Sequence, residues 1–334
     1  MNKDFSYYLR DFFQVYLLET RKLSSQTITT YKYCFIKLFK FFKQKKNIKP
    51  NNITLDMFNV ELVEEFIGWL LNNEKNMANT INNRITTIKC FFRFVSIHNV
   101  EFINLYSSLM NIKPLKKIET LIEYLSIEEI KLLFSIPNSQ NKKELKELAI
   151  LTLLYESALR VSELCDLKLE DVEISNHSII KVINGKGNKS RIVPISTDVA
   201  QILQKYITIY EIKQQDYLFK NQKNIQYTRW GINYIIKKYI NRCRKIDNTK
   251  FKITVTPHIF RHSKAMHLLD AGIPLTTIEK LLGHSSIKST EIYAKANPKK
   301  LEEAINQNSQ SIKVKRKYSK SKEKNLLEWL KNEL

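Results

Sequence analysis

Glycine and proline are scarce in this sequence, with six glycines and seven prolines among 334 residues. A chain so poor in glycine lacks the Gly-rich loops with which Rossmann and P-loop folds hold phosphates, and it is expected to be mostly helical. No apolar run approaches the roughly 20 residues needed to span a bilayer. Residues 1–5 are too polar and mixed for a signal peptide. We therefore expect a cytoplasmic protein that does not associate with membranes.

Cysteine is also rare: Cys34, Cys90, Cys165 and Cys243 lie far apart, and none forms a CxxC pair. This spacing argues against a zinc knuckle and against a disulfide framework. Each cysteine lies in an apolar or helical stretch, which is typical of a small core residue in a reducing compartment.

Acidic residues are few relative to basic ones, 33 against 55, and the net charge is +22. That surplus exceeds what solubility requires and indicates a polyanionic partner. The first 50 residues hold 11 basic and three acidic residues, whereas residues 51–112 hold four and six. The excess at the N-terminus favours contact with a nucleic-acid backbone over a merely solvated face.

Apolar residues at helical spacing predict a helical first domain over residues 1–112. Its four expected helices run at about 4–20, 25–45, 60–71 and 79–98, and Ser24 or Ser25 can cap the second. Residues 113–122 contain Pro114 and several lysines with little periodicity, so we predict an interdomain linker there.

The second domain is expected over residues 123–305, with a polar, basic tail at 306–334. Ser126 precedes a capped helix, and two β-branched runs around Gly185–Gly187 predict a hairpin within 179–195. Helical patterns are expected at about 143–159, 197–210, 229–245, 257–271, 275–283 and 287–297. The tail ends in a short amphipathic stretch with Leu326, Leu327, Trp329 and Leu330 as candidate anchors on a neighbouring protomer.

Candidate reactive residues cluster in this second domain. His258 and Arg261 are spaced i, i+3 and share one helix face, and Pro257 suits the first turn. Gly283 is expected to end a helix and present His284. Two arginines, two histidines, a lysine and a tyrosine suit phosphodiester chemistry without a metal. Guanidiniums can hold non-bridging oxygens, and a tyrosine can attack phosphorus if its proton is accepted.

The order and separation of these motifs resemble those of the tyrosine recombinase (phage integrase) family, including its Xer-like and mobile-element members. The matching segments are ALRVSEL at 158–164, GKGNKSR at 185–191, His258–Arg261, the LGH at 282–284, and Thr290–Tyr293. Five motifs in register over about 140 residues make a far more specific signal than any one of them.

The resemblance implies a role for each matched residue. Arg160 and Arg261 would bind the scissile phosphate, Tyr293 would be the nucleophile, and His284 would hydrogen-bond the phosphate. Lys186 would be the general acid, although Lys189 lies close enough in sequence to compete. His258 would assist proton transfer or orient the phosphate, and Glu163 would support the site.

The family also implies an architecture and partners. We expect a mainly α protein with a small β-hairpin or sheet element, whose helical core-binding domain and catalytic domain close around DNA as a clamp. The implied partners are double-stranded DNA with inverted-repeat half-sites and a homo-tetramer, or a hetero-tetramer with a paired recombinase. No cofactor, metal, ATP or small-molecule substrate is expected. The reaction would pass through a 3′-phosphotyrosyl intermediate and a Holliday junction, in chromosome-dimer resolution or mobile-element integration and excision.

Two departures from the family pattern concern packing more than catalysis: Lys264 and Met266 are unusual, and Glu156-Ser157-Ala158 replaces a common Thr-Gly pair. His262 and His267 are expected to be structural. Two rival functions stay open. One is a type IB topoisomerase or telomere-resolvase-like enzyme, and the other is a catalytically silent DNA-binding accessory protein.

Overall fold

The computed structural model describes residues 4–116, 122–183 and 190–283. The chain divides into two compact units, Met1–Thr120 and Leu121–Leu334. The bounds predicted above for the domains, the linker and the tail remain predictions. Within the described residues, no helix is long and apolar enough to cross a bilayer.

The first unit is built from helices whose starts are fixed by local capping. Asp4 accepts a hydrogen bond from the Tyr7 N–H, and Ser24 accepts one from the Thr27 N–H, as expected for N-cap residues. The α-helices are α1 (Phe5–Asp11), α2 (Ser25–Phe41), α3 (Val60–Asn72), α4 (Ala78–His98) and α5 (Ile103–Met110). Helix α1 continues as a π-helix over Phe12–Thr20, and a second π-helical stretch, Phe42–Lys46, follows α2.

Aromatic rings dominate the core of the first unit. Phe91, at the centre of α4, is fully buried, and its ring lies 5.4 Å from that of Phe12 and 5.2 Å from that of Phe35. Both pairs are edge-to-face, the arrangement that the ring quadrupoles favour. Large rings supply much apolar area from few residues, which lets short helices bury a core.

Among its described residues, the second unit combines helices with one small sheet. Its helices are α6 (Ile127–Ser135), α7 (Lys142–Glu156), α8 (Val161–Asp166), α9 (Thr197–Tyr210), α10 (Arg229–Ile246), α11 (Pro257–Asp270) and α12 (Leu275–Leu282). Helix α6 begins with a capping box in which Ser126 and Glu129 bond reciprocally to each other's backbone N–H. Helix α7 is buried continuously from Leu145 to Leu154, which makes it the central helix of this unit.

The sheet has three antiparallel strands in the order β1 (Val172–Glu173), β2 (Ile179–Val182) and β3 (Arg191–Pro194). Ile180 pairs with Val193 and Val182 pairs with Arg191, so the two expected arms of the hairpin are confirmed. Its turn, residues 184–189, lies outside the described residues. Ile180, Val182 and Val193 are buried, and the intervening positions face outward.

The expected fold class, mainly α with a small sheet, is confirmed. Among the labelled helices and strands, α5, α8 and β1 were not expected. Each is eight residues or shorter, too short to show a clear period of its own. The helix expected at 287–297 lies outside the described residues, as does the amphipathic end of the tail. Cys34, Cys165 and Cys243 are buried and Cys90 is half-buried, in keeping with packing residues.

Candidate active site

Arg160 follows a sharp turn at the end of α7. The helix ends at Glu156, and Ala158 then adopts the left-handed conformation with φ of +47°. This region favours glycine, which explains why a Thr-Gly pair is common in the family at a position where this chain has Ser157-Ala158. The Ala158 side chain is fully buried, so the turn is held by packing, and Arg160 emerges at the start of α8.

Arg261 lies on α11, whose first residue is Pro257, as expected. It is only 3% exposed. Its Nη1 donates to the Ala158 carbonyl at 2.8 Å, and its Nη2 donates to the Leu282 carbonyl. Both of these acceptors are uncharged carbonyl groups.

The end of α12 brings the two arginines together. Gly283 ends the helix in the left-handed conformation, with φ of +61°, as expected. Arg160 Nη2 donates to the Gly283 carbonyl at 3.1 Å, while Arg261 holds the carbonyl of the preceding residue, Leu282. Because consecutive Cα atoms are about 3.8 Å apart, the two guanidiniums are neighbours. A pair of fixed cations at one point is suited to a phosphate oxyanion.

Glu163 fixes the orientation of Arg160 from within the protein. Its Oε1 accepts from Arg160 Nη1 at 2.7 Å, and its Oε2 accepts from the Arg160 backbone N–H at 2.8 Å. Burial alone would raise the pKa of Glu163. Hydrogen bonds from Arg191 and from the backbone and side chain of Arg160, with the positive charge of Arg191, outweigh burial and lower the pKa to about 2. The carboxylate is therefore ionised throughout the physiological range.

His258 lies one turn before Arg261, at the outer end of the site. Desolvation lowers the pKa of His258 below its usual value, and the positive charges of Arg261 and Arg160 lower it further. The imidazole is therefore neutral at pH 7 and can accept a proton. His262 lies behind it, with ring centroids 6.2 Å apart, and burial first, then the nearby His258 and Arg261, lower the pKa of His262 to about 4.

Three of the predicted site residues cannot be placed in this geometry. Lys186, His284 and Tyr293 lie outside the described residues. Arg160, Glu163, His258 and Arg261 are described, and the structure brings these four together around the end of α12. Their catalytic roles stay predictions.

The two departures from the family pattern contact each other. Lys264 Nζ forms an ion pair with Glu156 Oε2 at 2.9 Å, joining α11 to the end of α7. Met266 is buried in a small cluster with Ala158, beneath the same turn. His267 is a packed residue, as expected, and its Nδ1 lies 2.8 Å from the Tyr155 hydroxyl. These unusual residues therefore pack around the turn that carries Arg160.

Arg191 belongs to the described site but was not among the predicted residues. Its side chain is 9% exposed, and it forms an ion pair with Glu163 at 2.7 Å. Two signals in the sequence could have identified it. It ends the GKGNKSR segment, and it shares a strand face with the buried Val193 two residues later. A charged residue on the inward face of a strand needs a buried partner.

Comparison with known proteins agrees with this geometry. The model of the phage integrase family matches residues 123–300, and the model of the phage integrase N-terminal SAM-like domain matches residues 11–96. A tyrosine recombinase XerD from Rickettsia conorii is 32% identical, with the match covering 86% of this chain and 94% of that protein. A tyrosine recombinase from Pseudothermotoga lettingae is 30% identical over 88% of this chain and 96% of its own length.

Two solved structures share the fold. One is XerH recombinase in a post-cleavage complex with a palindromic difH substrate, 23% identical, with a TM-score of 0.69 over 86% of this chain and 81% of that one. The other is the Tn1549 transposon integrase with transposon right-end DNA, 19% identical, with a TM-score of 0.69 over 89% and 98%. The chain therefore belongs to the phage integrase family of site-specific tyrosine recombinases.

Proposed function

We propose that this protein cleaves and rejoins double-stranded DNA at specific sites, with Tyr293 as the nucleophile and a 3′-phosphotyrosyl intermediate. Its structural relatives XerH and the Tn1549 integrase were each solved bound to their DNA. The net charge of +22 suits a polyanionic partner of this kind. The biological setting would be chromosome-dimer resolution or the integration and excision of a mobile element, in the cytoplasm at the nucleoid.

The observation that carries the proposal is the anchoring of Arg160 and Arg261 on the carbonyls of Gly283 and Leu282. Negative charge builds up on the non-bridging oxygens when a nucleophile attacks a phosphodiester. Two cations that are already held in place stabilise this charge without reorganising during the reaction. The segment with His284 and Tyr293 follows directly in sequence.

The cleavage step transfers one ester bond. The Tyr293 oxygen bonds to phosphorus while the bond between phosphorus and the 5′-oxygen breaks. Neutral His258 accepts the phenolic proton, and Lys186 donates a proton to the departing 5′-oxygen. Rejoining reverses these steps, with a 5′-hydroxyl from the partner DNA as the attacking group. One phosphoester is exchanged for another in each step, so the bond energy is conserved and no ATP is consumed.

Assembly follows from the chemistry of strand exchange. Four active sites are needed to exchange both strands of two duplexes, so we propose a tetramer on two DNA sites with inverted-repeat half-sites. Residues 1–112 and 123–305 would grip the duplex as a clamp joined by the linker at 113–122. The tail, 306–334, would bind a neighbouring protomer. Deleting the tail should weaken tetramer assembly on DNA, and unchanged assembly would contradict this role.

The experiment uses a nicked suicide substrate, from which the cleaved end diffuses away so that the covalent protein–DNA adduct accumulates. Wild-type protein should give an adduct on a denaturing gel, and Tyr293→Phe should give none. Tyr217→Phe, a change at an exposed tyrosine, is the matched control and should react normally. An adduct with Tyr293→Phe would contradict the assignment of the nucleophile.

The adduct assay, combined with plasmid relaxation and DNA binding, distinguishes the rival functions. Relaxation of supercoiled plasmid without a specific site would favour a type IB topoisomerase-like enzyme. Specific DNA binding with no adduct from wild-type protein would favour an accessory factor. Lys186→Ala and Lys189→Ala, tested side by side, identify the general acid. A substrate with a 5′-phosphorothiolate leaving group needs no proton from the protein. It should therefore restore cleavage by the variant that lacks the general acid and not change the other.

A further inference from the structure

Arg191 connects three parts of the second unit through its guanidinium. Its Nε donates to the Leu281 carbonyl in α12 at 2.9 Å. Its Nη1 and Nη2 donate to the two oxygens of Glu163, at 3.1 and 2.7 Å. The side chain starts on β3 and is 9% exposed, so the residue faces the protein interior. The bidentate geometry is the strongest that an arginine and a carboxylate can form.

Glu163 is shared between two arginines. Each of its oxygens accepts one bond from Arg191 and one from Arg160. With Arg160 alone, the carboxylate would form a neutral pair and reduce the charge available to a phosphate. With Arg191 also bound, the three groups carry a net charge of +1. Arg191 therefore offsets the negative charge that orients Arg160.

The packing of Arg191 also explains why residue 283 is glycine. A Cβ built on Gly283 would lie 2.9 Å from Arg191 Nη1 and 3.0 Å from its Cδ. The φ of +61° independently disfavours a side chain there. Arg191 thus lies against Gly283, whose carbonyl accepts a hydrogen bond from Arg160. It also donates to the Leu281 carbonyl, next to the Leu282 carbonyl that accepts from Arg261.

We propose that Arg191 is a positioning residue for strand cleavage: through Glu163 and the end of α12, it maintains the charge and the orientation of Arg160. This inference rests on the proposed function. Arg191 does not touch the DNA or the reacting atoms, and it acts only through Arg160 and its anchor.

The test is a double-mutant cycle on the single-turnover cleavage rate at saturating suicide substrate. Arg191→Gln should lower the rate about 10- to 100-fold, the usual effect of removing a supporting group behind an active residue, and should leave DNA affinity nearly unchanged. Glu163→Gln alone should also lower the rate, because it leaves Arg191 buried without its counter-charge. In the Arg191→Gln background, however, Glu163→Gln should raise the rate, because it frees Arg160 from a neutral pair.

A purely structural ion pair would show such a reversal in stability to denaturant, so the inference requires it in the cleavage rate of variants that are fully folded and saturated with DNA. Additive losses in the double variant, or wild-type cleavage by Arg191→Gln, would overturn the inference. If Arg191→Gln does not fold, Arg191→Lys keeps the charge and should cleave within a few-fold of wild type. A folded Arg191→Lys protein that has lost most cleavage would contradict the charge argument.

Two controls complete the design. Arg242 and Glu144 form another arginine–glutamate pair in the same unit, at 2.9 Å and with Arg242 40% exposed. Arg242→Gln should leave the cleavage rate constant unchanged, which controls for the loss of a positive charge. If wild-type protein does not form the covalent adduct, the proposed function fails. If wild-type protein is active but the effects of the two substitutions on the cleavage rate are additive, only the role of Arg191 fails.

Discussion

The two units differ in what they bury. Among the described residues, the first unit buries a cluster of aromatic rings and no charged side chain, whereas the second unit buries Lys146, Glu147 and Arg261. Burying a charge is costly, so each one needs partners. Glu147 is bound by Lys238 at 2.5 Å and by the Tyr239 hydroxyl at 2.6 Å, which compensate its charge. Arg261 donates to two backbone carbonyls, which are uncharged acceptors.

This difference teaches that a buried charge does not by itself mark a reactive site. Glu147 is bound by Lys238 and Tyr239. Arg261 instead lies beside a second arginine, Arg160, at the end of α12, where the two cations can bind one phosphate. The comparison therefore predicts which substitutions reduce stability, which reduce cleavage, and which do both.

The largest effect is expected from the aromatic core of the first unit. Phe91→Ala should destabilise the protein by about 3–5 kcal/mol, because it removes a fully buried ring and leaves a cavity. Denaturant unfolding measures this loss. Ile97→Ala, at a position that is 64% exposed on the same helix, is the control and should change stability by less than about 0.5 kcal/mol. Equal effects at the two positions would contradict a packing-based core.

The next effect concerns catalysis in the second unit. Arg160→Ala and Arg261→Lys should each lower the cleavage rate about 10²- to 10³-fold, equivalent to about 2.7–4 kcal/mol. DNA binding should persist, because it depends on many phosphate contacts. Cleavage rates and dissociation constants, measured on the same substrate, separate the effect on catalysis from the effect on DNA binding. Binding that weakens in step with cleavage would contradict this division.

Glu147 should show the opposite behaviour. Glu147→Gln should reduce stability by about 1–3 kcal/mol, because Lys238 and Tyr239 lose a charged acceptor. The folded variant should cleave at the wild-type rate, because the hydrogen bonds of Glu147 go to Lys238 and Tyr239 and involve neither Arg160 nor Arg261. Denaturant unfolding measures the loss of stability, and the suicide-substrate assay measures the cleavage rate. Lost cleavage with unchanged stability would contradict this separation of Glu147 from the reactive site.

The smallest effect is a dependence of stability on pH that is larger in the second unit. The pKa of His262 is about 4 in the folded protein and 6.5 when unperturbed. The folded state therefore favours the neutral imidazole, and its contribution to the free energy of unfolding is complete above pH 6.5 and is lost as the pH falls towards 4. The pKa of Glu163, about 2, adds a further loss below pH 4.5. These pKa values correspond to a loss of about 2.4 kcal/mol on acidification from pH 7 to 4.5, and solvent screening at this half-buried side chain reduces the expected loss to about 1–2 kcal/mol.

Denaturant unfolding at the two pH values measures this loss, and His262→Gln should reduce the difference between them. The first unit buries no charged side chain among its described residues, and should change less. Hydrogen exchange of its amides reports that unit separately. Equal acid sensitivity in the two units would contradict the comparison.

The sequence predicted features that local signals determine. Ser24, Ser126, Pro257 and Gly283 lie at helix ends where their own side chains or backbone conformations decide the boundary. The spacing of the motifs indicated which arginines and histidines belong together, and the structure brings Arg160, Glu163, His258 and Arg261 to one place.

Features that depend on distant contacts were missed. The bond from Arg191 to the Leu281 carbonyl joins residues 90 positions apart, and the Lys264–Glu156 pair joins residues 108 apart. No local pattern shows that two such residues meet. Short elements such as β1 exist because β2 pairs with them, and their own two residues carry no periodic signal.

The central claim is that Arg160 and Arg261 act by stabilising negative charge on the scissile phosphate. A suicide substrate with a methylphosphonate at that position lacks the charge. On the normal phosphate, Arg160→Ala should cleave about 10²- to 10³-fold more slowly than wild type. On the uncharged methylphosphonate, the account predicts that Arg160→Ala approaches the wild-type rate. An equally large loss on both substrates would contradict the claim.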